Sequence, residues 1–583
     1  MVRGREGFGV WAPGAETVEL ELNGARHAMR RGEDGWWSAP DVPVEHGADY
    51  GYVVDGAGPF PDPRSRWQPD GVHGPSRVVD HDRFAWTDAS WPGRGLPGSV
   101  TYELHVGTFT PGRTFDSAIE RLDHLVELGI DLVELLPVAA FPGRHGWGYD
   151  GVALYAVHDA YGGPEGLKRF VDACHARGLG VMLDVVYNHL GPSGNYLSSF
   201  GPYFTDKHHT PWGAAVNLDD AGSDEVRRFI IDSALAWLRD YHVDGLRLDA
   251  VHALADDRAT HLLTELQLAV DELAAETGKP LFLVAESDRN DPRTVTPIEA
   301  GGIGLAGQWA DDIHHALHSL LSGERQGYYV DFGSYECLAK TLTEAFFHAG
   351  TYSTFRGRTH GAPVDRSRIP GHAFVTYLQN HDQVGNRATG NRLSASVSPG
   401  RMAIGAALVL CSAFSPMVFM GEEWSASTPW QYFTDHQEAE LADAVREGRR
   451  NEFASHGWDR DDIPDPQDTA TVEASTLDWA ELDKEPHATM LRWYRDLIAL
   501  RRAQPDLTDP RLDAVRVEFD AAAQWVVMHR GRIRVVANLA DTPQTVPLDA
   551  PAGEVLLAWS EAEPQGAAVA LGAESAALVT VRE

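Results

Sequence analysis

Eight short apolar runs, set among amphipathic stretches, constrain this chain more than any other feature. They are Val100–Phe109, Asp131–Val138, Gly180–His189, Val243–Val251, Leu281–Glu286, Gly307–Ile313, Phe374–Asp382 and Pro416–Glu422. Runs this apolar predict strands buried on both faces. Helical patterns lie between them: Phe115–Leu128, Pro164–Arg177 with its proline suited to a first turn, and Ser223–Tyr241 with Ser223 as N-cap. Eight β-then-α units in ~330 residues point to an α/β fold, a parallel (β/α)8 TIM barrel rather than an open sheet. Functional groups in such a barrel sit at the C-terminal strand ends.

The flanks read differently. Val18-Glu-Leu-Glu-Leu22 alternates with period two, and Gly35-Trp-Trp and Tyr50–Val54 follow between turn residues, predicting an N-terminal β-sandwich over residues 1–92. Its Trp36 and Trp37 leave open whether it binds glucan or buttresses the barrel. The Pro/Gly-rich segment Trp91–Gly98 reads as a linker. The barrel is expected over 97–490, with one long loop after the third strand, 189–222, rich in glycine, proline and aromatics. A loop of that length beside a site is usually functional. Alternation returns in Ala514–Phe519, Trp525–Met528 and Ile533–Ala537, so residues 512–583 predict a C-terminal β-sandwich.

With 583 residues the chain is too long for one core, so several domains are expected. A net charge of −36 excludes a basic face for nucleic acid. Cys174, Cys337 and Cys411 are widely spaced and form no CxxC pair, which fits a reducing cytosol. The opening residues lack the apolar core of a signal peptide. The uncharged stretch Met402–Gly421 is nearly long enough for a membrane span, but Pro416 breaks it, so a buried helix running into a buried strand is expected.

Three short segments put a carboxylate at or near the end of a run: Asp249 in Gly245-Leu-Arg-Leu-Asp, Glu286 in Leu283-Val-Ala-Glu, and Asp382 in Gln379-Asn-His-Asp. Three carboxylates from three strand ends meet only if the strands curl round one axis. Glycosidic cleavage needs such a set, since one carboxyl group attacks and another protonates. Alternation puts Arg247 on the side of Asp249, where it favours the ionised carboxylate. The apolar approach to Glu286 disfavours ionisation, as a general acid requires. His189 ends the third run and His381 directly precedes Asp382 in the seventh, so both are placed to hydrogen-bond sugar hydroxyls. Tyr149, in Gly146-Trp-Gly-Tyr-Asp, can stack on a sugar face. Taken singly, an Arg-x-Asp pair is more often a structural ion pair and a lone histidine more often a core residue, and Tyr149 is as easily a packing aromatic. Their common position at strand ends reverses those odds.

The segments Asp184–His189, Gly245–Asp249, Val284–Ser287 and Gln379–Asp382 resemble, in order and spacing, the four signature regions of the α-amylase family of glycoside hydrolases. The resemblance covers roughly residues 97–490. It implies a (β/α)8 barrel and retaining cleavage or transfer at α-glucosidic bonds. It also implies roles: Asp249 as nucleophile, Glu286 as general acid/base, Asp382 as the acid holding sugar hydroxyls, and Arg247, His189, His381 and Tyr149 as supports in the same subsite. No cofactor or metal is implied, and no dedicated calcium cluster stands out.

Loop motifs narrow the resemblance. Phe8–Pro13, Asp62–Ser76, Tyr203–His208, Asp312–His318 and Gly421–His436 are similar to one branch of that family. That branch implies hydrolysis of the α-1,4 bond next to a terminal trehalosyl unit, releasing trehalose, in the cytoplasm and in sequence with a synthase that makes the substrate. Trp212, Asp312, Trp430 and Gln431 are candidates for trehalose recognition by loop position alone. Glucan branching, a non-catalytic glucan-binding barrel and a transporter accessory subunit are the alternatives. Product analysis separates the first, the intact carboxylates count against the second, and the absence of a believable membrane segment counts against the third.

Overall fold

The computed structural model describes residues 7–454 and 462–582. The first six residues, where the absence of a leader was read, lie outside the described residues, as do 455–461.

All eight expected strands form and close into one parallel barrel: β1 (Thr101–Leu104), β2 (Leu132–Leu135), β3 (Gly180–Val185), β4 (Gly245–Leu248), β5 (Phe282–Ala285), β6 (Gly307–Trp309), β7 (Phe374–Tyr377) and β8 (Ser415–Phe419). Closure comes from β8 pairing with β1 in parallel, Met417 opposite Thr101. Every residue of these strands is buried, which is why each reads as a continuous apolar run. The stretch Met402–Gly421 divides as expected, into a helix (Pro399–Leu410) and β8.

The strands stop earlier than the apolar runs. After β6, Asp311 already opens the helix Asp311–Ser322. After β7, Asn380 caps a short helix, His381–Gly385, accepting from the amides of Asp382 and Gln383. Asp382 therefore sits in a first helical turn, not on a strand end. Ser223 is likewise the first residue of its helix (Ser223–Asp240), with Gly222 as N-cap at φ +82°. Phe115–Leu128 splits into Phe115–Ile119 and Leu122–Leu128.

Residues 7–77 form two antiparallel sheets. One holds Phe8–Trp11, Trp36–Ala39 and Arg30–Arg31; the other holds Ala25–Ala28, Val18–Leu22, Asp49–Val54 and Ala57–Phe60, with Ser76–Arg77 on its side. They pack on the long loop after β3 through Trp11 against Tyr203 (5.4 Å) and Tyr52 against Phe200 (6.3 Å). That loop carries its own hairpin, Phe204–Thr210 with Gly213–Val216. At the other end, a five-stranded and a three-stranded sheet enclose Val527, Val536, Val569 and Val579.

Segment Trp91–Gly98 is not a linker. It closes the floor of the barrel. Trp91 Nε1 and the Arg94 amide both donate to Asp244, the residue before β4, at 2.8 and 3.1 Å. Leu96 is fully buried in the barrel bore with Leu132, Phe282, Val284, Trp309 and Met417. Gly307 makes the room: a Cβ there would lie 2.3 Å from Leu96 Cδ2. Leu96→Ala is expected to destabilise the barrel by about 3 kcal/mol, a buried leucine's loss plus its cavity. A lowered denaturant midpoint measures this; an unchanged midpoint would mean the floor is held by Trp91 alone.

Candidate active site

The barrel mouth is organised by Arg247. Its side chain is fully buried on β4, and its guanidinium lies over the Trp309 ring at 4.2 Å. Nη1 donates to Asp249 Oδ1 and to Asp184 Oδ2, both at 2.8 Å, and Nη2 lies 3.6 Å from Glu286 Oε2. One cation thus touches three carboxyl groups from β3, β4 and β5. Strand alternation puts Arg247 and Asp249 on one side, as expected.

Asp249 follows the last residue of β4. Its second oxygen accepts from Asn188 Nδ2 at 2.8 Å, so both oxygens are held and the carboxylate is aimed. Ala250 next to it is left-handed, φ +39°. Such a conformation costs a non-glycine residue about 1–2 kcal/mol. It turns the Ala250 amide onto Glu286 Oε2. The Val251 amide donates to the Glu286 carbonyl at 3.0 Å, and the Glu286 amide to the Leu248 carbonyl at 2.9 Å. The strained turn therefore fixes the two carboxyl groups relative to each other.

Burial pushes the Glu286 carboxyl up to about 8; Arg247 opposes the shift, and the carboxylates of Asp249, Asp382 and Asp311 add to it. Glu286 is thus protonated at neutral pH. Burial also raises Asp184, to about 6, again against Arg247. Asp382 is the most open of the group, 42% exposed, with Oδ1 accepting from Asn386 at 3.2 Å and lying 3.6 Å from His381 Nε2.

Tyr149 stacks on His381 at 5.3 Å and 20° and donates to Asp184 Oδ2 at 2.6 Å. His381 Nε2 is 2.9 Å from the Tyr149 hydroxyl. His189 sits beside them, with Nε2 3.0 Å from the Tyr149 carbonyl and its ring stacked on the half-exposed Trp212 at 4.5 Å. All seven expected site residues therefore share one mouth. Two further carboxylates, Asp184 and Glu103, join them. Each is the single charged residue of a fully buried strand, and that was the available signal.

The loop candidates divide. Trp212 faces solvent at the rim. Asp312 is buried and accepts from Asn290 and the amides of Phe347 and His348, a structural role. Trp430 is fully buried behind Trp147, ring to ring at 4.4 Å. Gln431 donates to the Thr389 carbonyl. Residues unseen in the sequence complete the rim on the Glu286 side. Phe355 is exposed and lies edge-on to Tyr328 at 6.1 Å, and Arg356 reaches Asp288 at 3.3 Å. A separate cavity of about 450 Å³ lies between the segment after β4 and the one after β5, lined by His252, His261, Thr264, Ser287, Arg289 and Arg293.

Among the described residues one group, His208, Asp219 and Asp257, brings metal-ligating atoms close together. Lys207 Nζ already lies 2.9 Å from Asp219 and 3.6 Å from Asp257, so both carboxylates have a cation of the chain beside them. No helix among the described residues is long and apolar enough to cross a membrane.

A closed parallel barrel whose mouth pairs an arginine-held carboxylate with a protonated one is the architecture of an α-amylase-type glycoside hydrolase. A family model for the alpha amylase catalytic domain matches residues 86–208, and one for a domain of unknown function (DUF3459) matches 510–578. Malto-oligosyltrehalose trehalohydrolase of Mycobacterium tuberculosis (strain H37Rv) is 55% identical over 556 residues, covering 95% of each chain. A crystal structure of an α-amylase-like protein from Salmonella typhimurium superposes with a TM-score of 0.89 at 38% identity, covering 98% of this chain and 97% of the other. A glucan branching enzyme of Xanthomonas campestris is 33% identical but covers only 54% of this chain. This chain belongs to the malto-oligosyltrehalose trehalohydrolase family.

Proposed function

We propose that the protein hydrolyses, with retention, the α-1,4 bond next to the terminal trehalosyl unit of malto-oligosyltrehalose. The observation that carries this is the split between two neighbouring carboxyl groups: Asp249 held by Arg247 and Asn188, Glu286 kept protonated. Asp249 attacks the anomeric carbon while the Glu286 proton passes to the leaving oxygen, and trehalose departs. Glu286, now a carboxylate, takes a proton from water. The water oxygen bonds to the anomeric carbon and Asp249 is released. Asp382 holds sugar hydroxyls from the open side, with His381, His189 and Tyr149 around the same ring. The acid side is the leaving-group side, so the trehalose unit lies on the Glu286 side of the mouth.

Coverage of nearly the whole chain by trehalohydrolases, against about half by a branching enzyme, supports hydrolysis over branching. We place the enzyme in the cytoplasm, in keeping with its three free, buried cysteines, downstream of a synthase that supplies malto-oligosyltrehalose. Incubation with malto-oligosyltrehalose is expected to release free trehalose and a malto-oligosaccharide that is first α by NMR. Plain maltopentaose is expected to be a much poorer substrate, and amylose to gain no α-1,6 branches. New branches, or glucose units released equally from both oligosaccharides, would sink the assignment.

A further inference from the structure

The roles above leave one buried acid unexplained. Glu103, on β1 at the back of the site, gives both carboxylate oxygens to a single residue. Oε2 accepts the His381 amide at 3.0 Å and Oε1 lies 2.5 Å from His381 Nδ1. Both side chains are 1% exposed. On the far side of the ring, Tyr149 gives its one hydroxyl proton to Asp184 Oδ2, an oxygen that also accepts from Arg247. The tyrosine oxygen must then accept from His381 Nε2. Nδ1, facing a carboxylate, carries the other proton. The ring is an imidazolium enclosed by Tyr149, Trp147, Trp309 and Trp430, with centroids 5.3, 6.0, 6.0 and 6.1 Å away.

We propose that Glu103 is a positioning residue for the hydrolysis: it holds His381 as an imidazolium locked against Tyr149, and through that charge, 3.6 Å from Asp382 Oδ1, keeps Asp382 aimed at the sugar. The proposal rests on the functional assignment of the barrel mouth given above. The groups facing His381 are Glu103 on β1, His105 after it, Glu134 on β2, Tyr149 beyond β2, Asp184 on β3, Arg247 on β4 and its neighbour Asp382. Burial alone would lower the imidazole; Asp382 and Glu103 outweigh it and raise it to about 9, against Arg247. Glu134 stands opposite Glu103 in the ladder with neither oxygen hydrogen-bonded, and burial, with Glu103 adding to it, pushes its carboxyl far up. Its oxygens make no hydrogen bond to His381, so Glu103 is the carboxylate that holds the ring.

The test compares kcat/KM against pH for wild type, Glu103→Gln and Glu103→Asp on malto-oligosyltrehalose. Removing the charge lets His381 lose its proton before Glu286 does. The alkaline limb of Glu103→Gln is expected to move down by about one pH unit or more, while Glu103→Asp, which keeps the charge, retains the wild-type limb. In a His381→Asn background, Glu103→Gln should cost less than about threefold, because its only route of action is gone. Histidine-selective ¹⁵N labelling reads the same charge without substrate: the resonance lost in His381→Asn should stay imidazolium above neutral pH in wild type and not in Glu103→Gln. The proposal is overturned by an unmoved limb in Glu103→Gln, by an equal shift in Glu103→Asp, or by a neutral ring in wild type. If Glu103→Gln does not fold, Glu103→Asp and the wild-type resonance decide. A wild type that releases no trehalose counts against the functional assignment, and the labelled ring still tests the charge.

Discussion

Asp249→Ala is expected to lower kcat on malto-oligosyltrehalose by on the order of 10⁵-fold, with the fold intact. The size follows from what the carboxylate does. It forms the bond to the anomeric carbon and faces the positive charge that develops there, and no neighbour can replace it. Asp184 is the nearest carboxylate on Arg247, but it is fully buried and tied to Tyr149. The deletion leaves two donors, Arg247 Nη1 and Asn188 Nδ2, facing an empty space open to the sugar. A small anion is held there by the same charge-assisted hydrogen bonds. Azide should therefore restore part of the activity and yield a β-glycosyl azide, of opposite configuration to the α-linked substrate. Formation of that product identifies the attacking group and not merely an essential one. Near-normal turnover in Asp249→Ala, or azide rescue seen instead in Asp382→Ala, would show that the nucleophile is misassigned.

How much of this was legible follows from how each residue is buried. The eight strands were readable because strands covered on both faces are apolar throughout, whatever their neighbours. Asp249 and Glu286 were readable because each interrupts such a run at its end. Strand limits were not, since Asn380 and Asp311 start helices through capping and loop contacts that the apolar pattern does not carry. Asp382 moved from a strand to a helix for that reason. The Trp91–Gly98 segment was misread because proline and glycine report how the chain turns, not what it is tucked under. Glu103 and Asp184 were missed as site residues because their partners lie across the bore. Glu103 meets His381 from 278 positions away, a relation fixed by barrel closure alone.

Glu286→Gln is the second large effect, and its pattern matters more than its size. On malto-oligosyltrehalose kcat/KM should fall by on the order of 10³–10⁴-fold, the contribution of a positioned general acid. The wild type should lose activity as pH rises through about 8, where Glu286 gives up its proton, falling tenfold per unit beyond. Asp249 must be ionised throughout, so the active form is the one with a proton on Glu286 and none on Asp249. Glutamine cannot titrate, and the limb near 8 should vanish from the residual activity. A malto-oligosyl fluoride isolates the two halves of the reaction. Fluoride leaves without a proton, so the first step should survive in Glu286→Gln. The second step still needs a base to deprotonate water, so the glycosyl-enzyme should accumulate and be seen as a burst with a low KM. If Glu286→Gln handles the fluoride as poorly as the natural substrate, Glu286 is not the group that protonates the leaving oxygen. Retention of a limb near 8 would exclude Glu286 in the same way, since the proton lost at that pH would then belong to another residue.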